Sequence, residues 1–282
     1  MASVQITEFT DPTCPWAFSA EPFRRRLDWL YGEELEWLPR MVGLAETPQD
    51  PLDKGFTPEK QAAAFERIAK EHGMPIDTRE RPRMTASVPA CRAVVAARLN
   101  APDRERTLLR RLRVRHFSGD LIDERETLDA AARETGIESD ELAAWMEQDD
   151  VEAVLREDMA AAREPIVAAR VLDAKLANWS GGRRYTCPSY EILRLEDGVR
   201  IAVPGFQPFP VYDVILANLV PNVERREPPG SAEEVLRWTG AQLASKEVAV
   251  VCDVSVEHAR EDLCRVADEE HVGFDGFWTA RA

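Results

Sequence analysis

The chain has 282 residues, with 36 basic against 51 acidic side chains and a net charge of −15. Apolar residues are 44% and charged residues 31%, the composition of a folded globular protein and not of a disordered one. The length calls for more than one compact unit, and the acidity argues against general binding to nucleic acid or to an anionic membrane surface.

No run of about 18 apolar residues exists to span a membrane. The opening Met1-Ala2-Ser3-Val4 lacks the basic start of a secretion signal, so a cytoplasmic location is expected. The five cysteines (14, 91, 187, 252, 264) are odd in number and contain no C-x-x-C pair. This fits neither a secreted disulfide framework nor a zinc site, and no metal is expected. The histidines at 72, 116, 258 and 271 are scattered and read as surface or half-buried helix residues.

In chain order, Val4 to Phe9 alternates and is β-branched, which predicts a strand. A helix is predicted from Pro15 to a stop at Gly32, then a second strand over 35–42, parallel to the first. From 46 to 165 the pattern is helical. Thr57-Pro58-Glu59 starts one helix and Gly73 stops it. Others are predicted over 89–99, 102–116, 125–134, 139–148 and 151–176, the last kinked or broken by Pro165. The arginine-rich run 104–115 reads as a solvated face. Asp197-Gly198 predicts a hairpin of 190–195 with 199–203, followed by a helix over 209–220. Arg225 to Gly230 reads as a linker. Beyond it, helices over 232–243 and 256–269 flank the segment 244–255, and a hairpin closes the chain over 272–279. This is a winged-helix pattern.

The chemistry concentrates in Asp11-Pro12-Thr13-Cys14-Pro15-Trp16-Ala17-Phe18. Cys14 stands between a strand and a helix, where unpaired backbone N–H groups and the helix dipole favour an anion. For a cysteine that anion is the thiolate, the nucleophile of disulfide exchange. A cysteine that merely occupies the cap is the alternative. A second cysteine, in Thr186-Cys187-Pro188, precedes the hairpin.

With Ser87-Val88-Pro89-Ala90-Cys91-Arg92-Ala93 and Pro204-Gly205-Phe206-Gln207-Pro208, these segments make residues 1–222 resemble the DsbA-like branch of the thioredoxin superfamily. The FrnE-type proteins are nearest. Relatives are the 2-hydroxychromene-2-carboxylate isomerases and the kappa-class glutathione transferases. The resemblance implies an α/β, thioredoxin-like fold over 1–45 and 166–224, a large all-helical insertion over 46–165, and a small winged-helix-like module over 231–282. It implies one sheet of four strands, Pro188 as the fold's cis-proline, and Cys187 close to Cys14. Catalytic roles fall to Cys14 and Cys187. Pro15, Trp16, Ala17, Thr186, Pro188 and Gln207 would line the groove, and Arg183 and Arg184 would take a carboxylate of a peptide or of glutathione. For Trp16 a core anchor is the alternative, and for the two arginines a solvated loop pair. Cys91 reads as a buried core cysteine, or as a redox partner if the insertion caps the cleft.

The departure is Ala17, which stands where redox members of the family carry their second cysteine. A 14–17 disulfide is chemically impossible. Three routes stay open: a monothiol resolved by glutathione or another small thiol, Cys187 as the resolving thiol, or a groove kept for a thiol-bearing ligand as in the isomerases. The implied partner is a thiol- or disulfide-bearing protein or small molecule, with no tightly bound cofactor and a homodimer left open. A redox-responsive regulator using the winged helix is a further alternative. Residues 231–282 are themselves acidic, however, which argues against DNA, and Cys252 and Cys264 read as buried apolar fillers.

Overall fold

The structure, a computed structural model, describes residues 2–281. Strand β1 (Val4–Thr10) leads through α1 (Pro15–Ser19) and α2 (Glu21–Tyr31) to β2 (Leu35–Met41). One helix was expected where two occur. Pro22 has no N–H to offer the carbonyl of Phe18, and the chain breaks at Ala20. The helical part follows: α3 (Gln49–Asp53), α4 (Pro58–His72), α5 (Val88–Asn100), α6 (Glu105–Phe117), α7 (Arg125–Glu134), α8 (Ser139–Met146) and α9 (Asp149–Ala162). The predicted caps of α4 are present. Thr57 Oγ1 accepts from the N–H of Lys60 at 3.3 Å, and Gly73 takes the left-handed φ of 75°. Alanine and valine cover α5 on all sides, so the other helices pack closely around it.

The helix expected to run to 176 stops at Ala162, ahead of Pro165. A short helix, α10 (Val167–Arg170), and a hairpin of β3 (Ala177–Trp179) with β4 (Gly182–Arg184) replace it. Then come β5 (Ser189–Arg194), β6 (Arg200–Val203) and α11 (Phe209–Leu219). The main sheet has the order β2-β1-β5-β6. Val4 faces Leu35 in the parallel pair, and Ile192 lies between Ile6 and Ile201 in the antiparallel ones. Leu27, Tyr31, Tyr212 and Leu216 cover one side of it.

The last module is α12 (Ala232–Thr239), β7 (Leu243–Ala244), α13 (Ser245–Cys252), α14 (Val256–Val266), β8 (Ala267–Val272) and β9 (Asp275–Ala280), with sheet order β7-β9-β8. Gly240 in the left-handed region ends α12 before residue 243, and α14 gives way to strand at Ala267, not at 269. The core of the module includes Trp29 of α2. Cys252 is half-buried, and Cys264 is exposed rather than a filler. Leu263 takes the inward position of α14, and its neighbour therefore points away. Two histidines also differ from expectation. His116 is fully buried against Arg81 (Nδ1 to Nη1, 2.9 Å), and His271 lies in β8.

The largest correction concerns the arginine run. Arg110 and Arg113 are not solvated but 5% and 1% exposed. Arg113 pairs with Glu21, Glu8 and the hydroxyl of Thr10. Arg110 pairs with Glu247 at 2.6 Å. Burial opposes ionisation of Glu21, yet Arg24, Arg113, Arg110 and Arg25 together hold its carboxyl well below the usual range. These carboxylates come from β1, α2 and α13. The sequence around 104–115 carries no sign of partners so far away.

Candidate thiol site

Strand β1 ends at Thr10, and Asp11 turns the chain into α1. Cys14 occupies the N-cap with extended backbone (φ −80°, ψ 113°), Pro15 is the first helical residue, and the carbonyl of Cys14 accepts from Phe18 N at 3.0 Å. Facing it, the Cys187–Pro188 peptide bond is cis, and Ser189 begins β5. The two cysteines meet although 173 positions separate them: Cys14 Sγ lies 3.3 Å from the carbonyl oxygen of Cys187. All five cysteines are free thiols.

The two thiols are electrostatically unequal. The neighbouring Cys187 side chain is the largest influence on Cys14 and lowers its pKa. Burial opposes this, the N–H groups of Ala17 and Trp16 help, and the charge of Asp11 works against it. Burial pushes the Cys187 thiol well up, reinforced by its bond to Cys14. The pair therefore loses its first proton from Cys14.

Asp11 organises this end of the molecule and was missed as a functional residue in the sequence. It is fully buried. Its Oδ1 accepts from Thr13 N at 2.9 Å and Thr13 Oγ1 at 2.7 Å. Its Oδ2 accepts from Leu44 N at 2.9 Å, Ser87 Oγ at 2.8 Å and the Cys91 thiol at 3.6 Å. One carboxylate thus ties the Cys14 loop to the segment after β2 and to the start of α5. An aspartate two residues before a turn threonine is an Asx-turn signal, and it was legible. Cys91 is buried, bonded to Asp11, and its thiol is pushed well up by burial and by that carboxylate. Asp11→Asn is expected to lose about 1–3 kcal/mol, because an amide cannot accept on both sides of the group. It is also expected to move the Cys14 titration downward as the opposing charge disappears. Urea unfolding and alkylation against pH read the two effects, and an unchanged titration would refute the second.

The remaining groove residues are placed as follows. Trp16 stands half-buried, edge-on to His72 (ring centroids 4.9 Å) and to Phe206 (5.6 Å). His72 and Phe206 were not singled out from the sequence as lip residues. Ala17 is buried. Thr186 Oγ1 donates to the carbonyl of Lys175 at 2.9 Å, and Gln207 Nε2 to that of Pro204 at 3.1 Å, so both serve their own loops. Gly205, at φ 73°, brings its backbone against Ser189 Oγ (2.9 Å); a Cβ there would sit 3.4 Å from Thr186 Oγ1. Arg183 is turned to Asp173 at 2.8 Å, whereas Arg184 donates to the carbonyl of Tyr185 and its charge favours the Cys187 thiolate. A cavity of about 960 Å³ lies at the other end of β1 beside Ser3, Arg194 and Asn222. It has no part in the thiol chemistry. Among the described residues no cluster of three or more His, Cys, Asp or Glu is placed to hold a metal ion. No helix among them is long and apolar enough to cross a membrane.

Residues 5–167 match the DSBA-like thioredoxin domain. The chain belongs to that family. The family works on thiols or disulfides and holds no tightly bound cofactor. The chain is 26% identical over 270 residues to the ClpXP adapter protein SpxH of Halalkalibacterium halodurans, covering 92% of this chain and 81% of that protein. The SpxH of Bacillus subtilis (strain 168) is 25% identical over 273 residues, covering 94% and 83%. Among solved structures, the cytosolic disulfide reductase DsbM of Pseudomonas aeruginosa superposes with a TM-score of 0.54 at 19% identity, covering 76% of this chain and 99% of its own. A form of DsbM with GSH gives 0.53. These superpositions establish the fold.

Proposed function

We propose that this DsbA-like protein performs thiol–disulfide exchange in the cytoplasm through Cys14, with Cys187 as the resolving thiol. The carrying observation is the contact of Cys14, at a helix start, with Cys187 across the cleft. The Cys14 thiolate attacks one sulfur of a partner disulfide, forms a mixed disulfide and releases the other partner sulfur as thiolate. Cys187, once deprotonated, attacks the Cys14 sulfur. This closes a Cys14–Cys187 bond and frees the second partner thiol. The protein is then oxidised by two electrons, and two equivalents of a small thiol such as glutathione restore it, leaving as the disulfide. Ala17 takes no part in this cycle, and a glutathione-dependent isomerase would not need Cys187.

The test uses oxidised glutathione and mass mapping of the full chain. Wild type is expected to yield the Cys14–Cys187 disulfide, and Cys187→Ser is expected to stop at glutathione on Cys14. Modification elsewhere with Cys14 untouched would overturn the reading.

A second reading is favoured by one observation. The likeness to the ClpXP adapters extends over nine-tenths of the chain and so takes in the C-terminal module. In this reading the chain delivers a protein to a ClpXP protease, and the module binds protein and not DNA. The basic groups of α14 support this: Arg260 pairs with Glu269 and Asp275, Arg265 with Asp262, and His258 lies 3.7 Å from Asp262. Sedimentation with purified ClpXP is expected to show co-migration, and a gel shift at low salt is expected to show no DNA complex. Separate migration, or a DNA complex, would remove this reading.

A further inference from the structure

The segment from Arg163 to Arg184 departs from the rest of the chain in charge. It carries five basic and two acidic side chains in a protein of net charge −15. Elsewhere arginine after arginine is paired with a carboxylate. Among the described residues, Arg163, Arg170 and Arg184 make no such pair. Their hydrogen bonds go to main-chain carbonyls: those of Val42 and Met159, of Pro165, and of Tyr185. Three guanidinium groups of this segment thus have no carboxylate within ion-pair distance among the described residues.

The same segment also exposes apolar side chains. Val167 is 80% exposed and Val171 79%, four residues apart on α10 and its following turn. Trp179 of β3 is 38% exposed, and Arg163 lies over its ring at 5.6 Å from the centroid. The indole is held across the hairpin turn, where a Cβ on Gly181 would come within 2.4 Å of it. On α10 the spacing puts Val167, Arg170 and Val171 on one helix face, and exposed valines, a fixed tryptophan and arginines within one short segment have the composition of an interface and not of an ordinary solvated surface.

The face adjoins the thiols. Ala169 and Leu176 pack in the same cluster as Cys14, Cys187 and Val42. The inner side of this segment is thus part of the thiol core, and its outer side is the exposed patch.

We propose that this patch docks an acidic segment of a protein partner, bearing apolar side chains that cover Val167, Val171 and Trp179 and carboxylates that pair with Arg163, Arg170 and Arg184. The surface deepens the thiol reading by supplying the partner whose sulfur meets Cys14, but the docking itself does not require exchange. It gives a strongly acidic protein a place where another acidic chain is attracted, and this selects partners by charge as well as by sulfur chemistry.

The test is fluorescence anisotropy of the full chain with a labelled, cysteine-free peptide of Glu and Leu. The same peptide with Lys for Glu is the comparison. The acidic peptide is expected to bind and the basic one not, with binding weakened from 0.1 M to 1 M salt as the screening length falls from about 10 Å to about 3 Å. Val171→Glu and Arg170→Glu, both at exposed positions, are each expected to weaken binding by about tenfold or more. Circular dichroism checks their folding. Equal binding of both peptides, or variants that bind as wild type, would overturn the proposal. So would sedimentation showing wild-type dimers that Val171→Glu dissociates, since the occupant would then be a second copy. Reaction of wild type with a small aromatic disulfide is followed separately. It reports on Cys14 alone, so failure of the thiol reading and failure of the docking surface give different results.

Discussion

Alkylation of Cys14 by iodoacetamide is expected to follow a thiolate titration centred below the value of about 8.5 of an unperturbed cysteine. Cys187→Ala is expected to move that midpoint upward. The sign follows from the site. The neighbouring Cys187 side chain is the largest influence on Cys14 and favours its anion, ahead of the opposing burial. Removing it leaves burial and the Asp11 charge against only the N–H groups of Ala17 and Trp16. The same asymmetry has a consequence for stability. A thiol whose folded pKa is depressed contributes stability that is fully present above its unfolded pKa and is lost as pH falls through the folded one. Wild type is therefore expected to lose a small part of its stability as pH falls from the free thiol value of about 8.5 through the lowered one of Cys14, a loss that Cys14→Ser does not show. Peptide mapping by mass separates Cys14 from exposed Cys264, which alkylates in every variant. A wild-type midpoint at or above the free value, or one that Cys187→Ala leaves in place, would sink the activated-thiol account. The leaving-group side matters equally. A low-pKa thiol departs readily from a mixed disulfide, so capture at Cys14 is readily reversed by small thiols, as suits a protein with no cysteine at position 17.

What was legible in the sequence was local. The β-branched run of β1, the capped α4 with Thr57 and Gly73, the Asp197-Gly198 hairpin and the cysteine between strand and helix all rest on interactions a few residues long. The break at Ala20 was equally local, through Pro22, and was readable from proline's missing donor. What could not be read depends on partners far along the chain. The arginines of α6 looked like a solvated face because their own helix and its neighbours offered enough charge to suggest it. They are buried because Glu8, Glu21 and Glu247 arrive from elsewhere. The β3–β4 hairpin was hidden because Ala177-Asn178-Trp179 is too short to show a period. Closeness of Cys14 and Cys187 entered only through family resemblance, since no spacing rule links positions 173 apart.

Glu247→Ala is expected to cost about 3–5 kcal/mol, the penalty for breaking a buried ion pair from one side. Glu247 is fully buried. Its Oε1 accepts from Arg25 Nε at 2.6 Å, and its Oε2 accepts from an Arg110 Nη at 2.6 Å and from Ala244 N at 2.8 Å. One carboxylate of the C-terminal module therefore holds α2 of the thioredoxin-like part and α6 of the helical part, and also starts its own helix α13. Arg110 lies over both Phe18 of α1 and Phe277 of β9, at 5.4 and 5.7 Å. Without Glu247 it would keep a buried guanidinium whose remaining carboxylate, Glu21, lies 4.0 Å away, and whose Nε and Nη1 make no hydrogen bond among the described residues. Thermal unfolding is expected to fall by on the order of 10 °C. Glu247→Gln keeps the shape and one acceptor and should lose less. Combining Glu247→Leu with Arg110→Met removes both buried charges of that contact and should recover part of the loss. Arg25 keeps an outlet, since its side chain is 11% exposed. Limited proteolysis distinguishes where the loss falls. If the ion cluster holds the module in place, Glu247→Ala exposes the Arg225–Gly230 stretch to cleavage while the Cys14 titration stays as in wild type. A variant as stable and as resistant as wild type would show that apolar contacts around Trp29 alone hold the module, leaving the buried charges without a structural role.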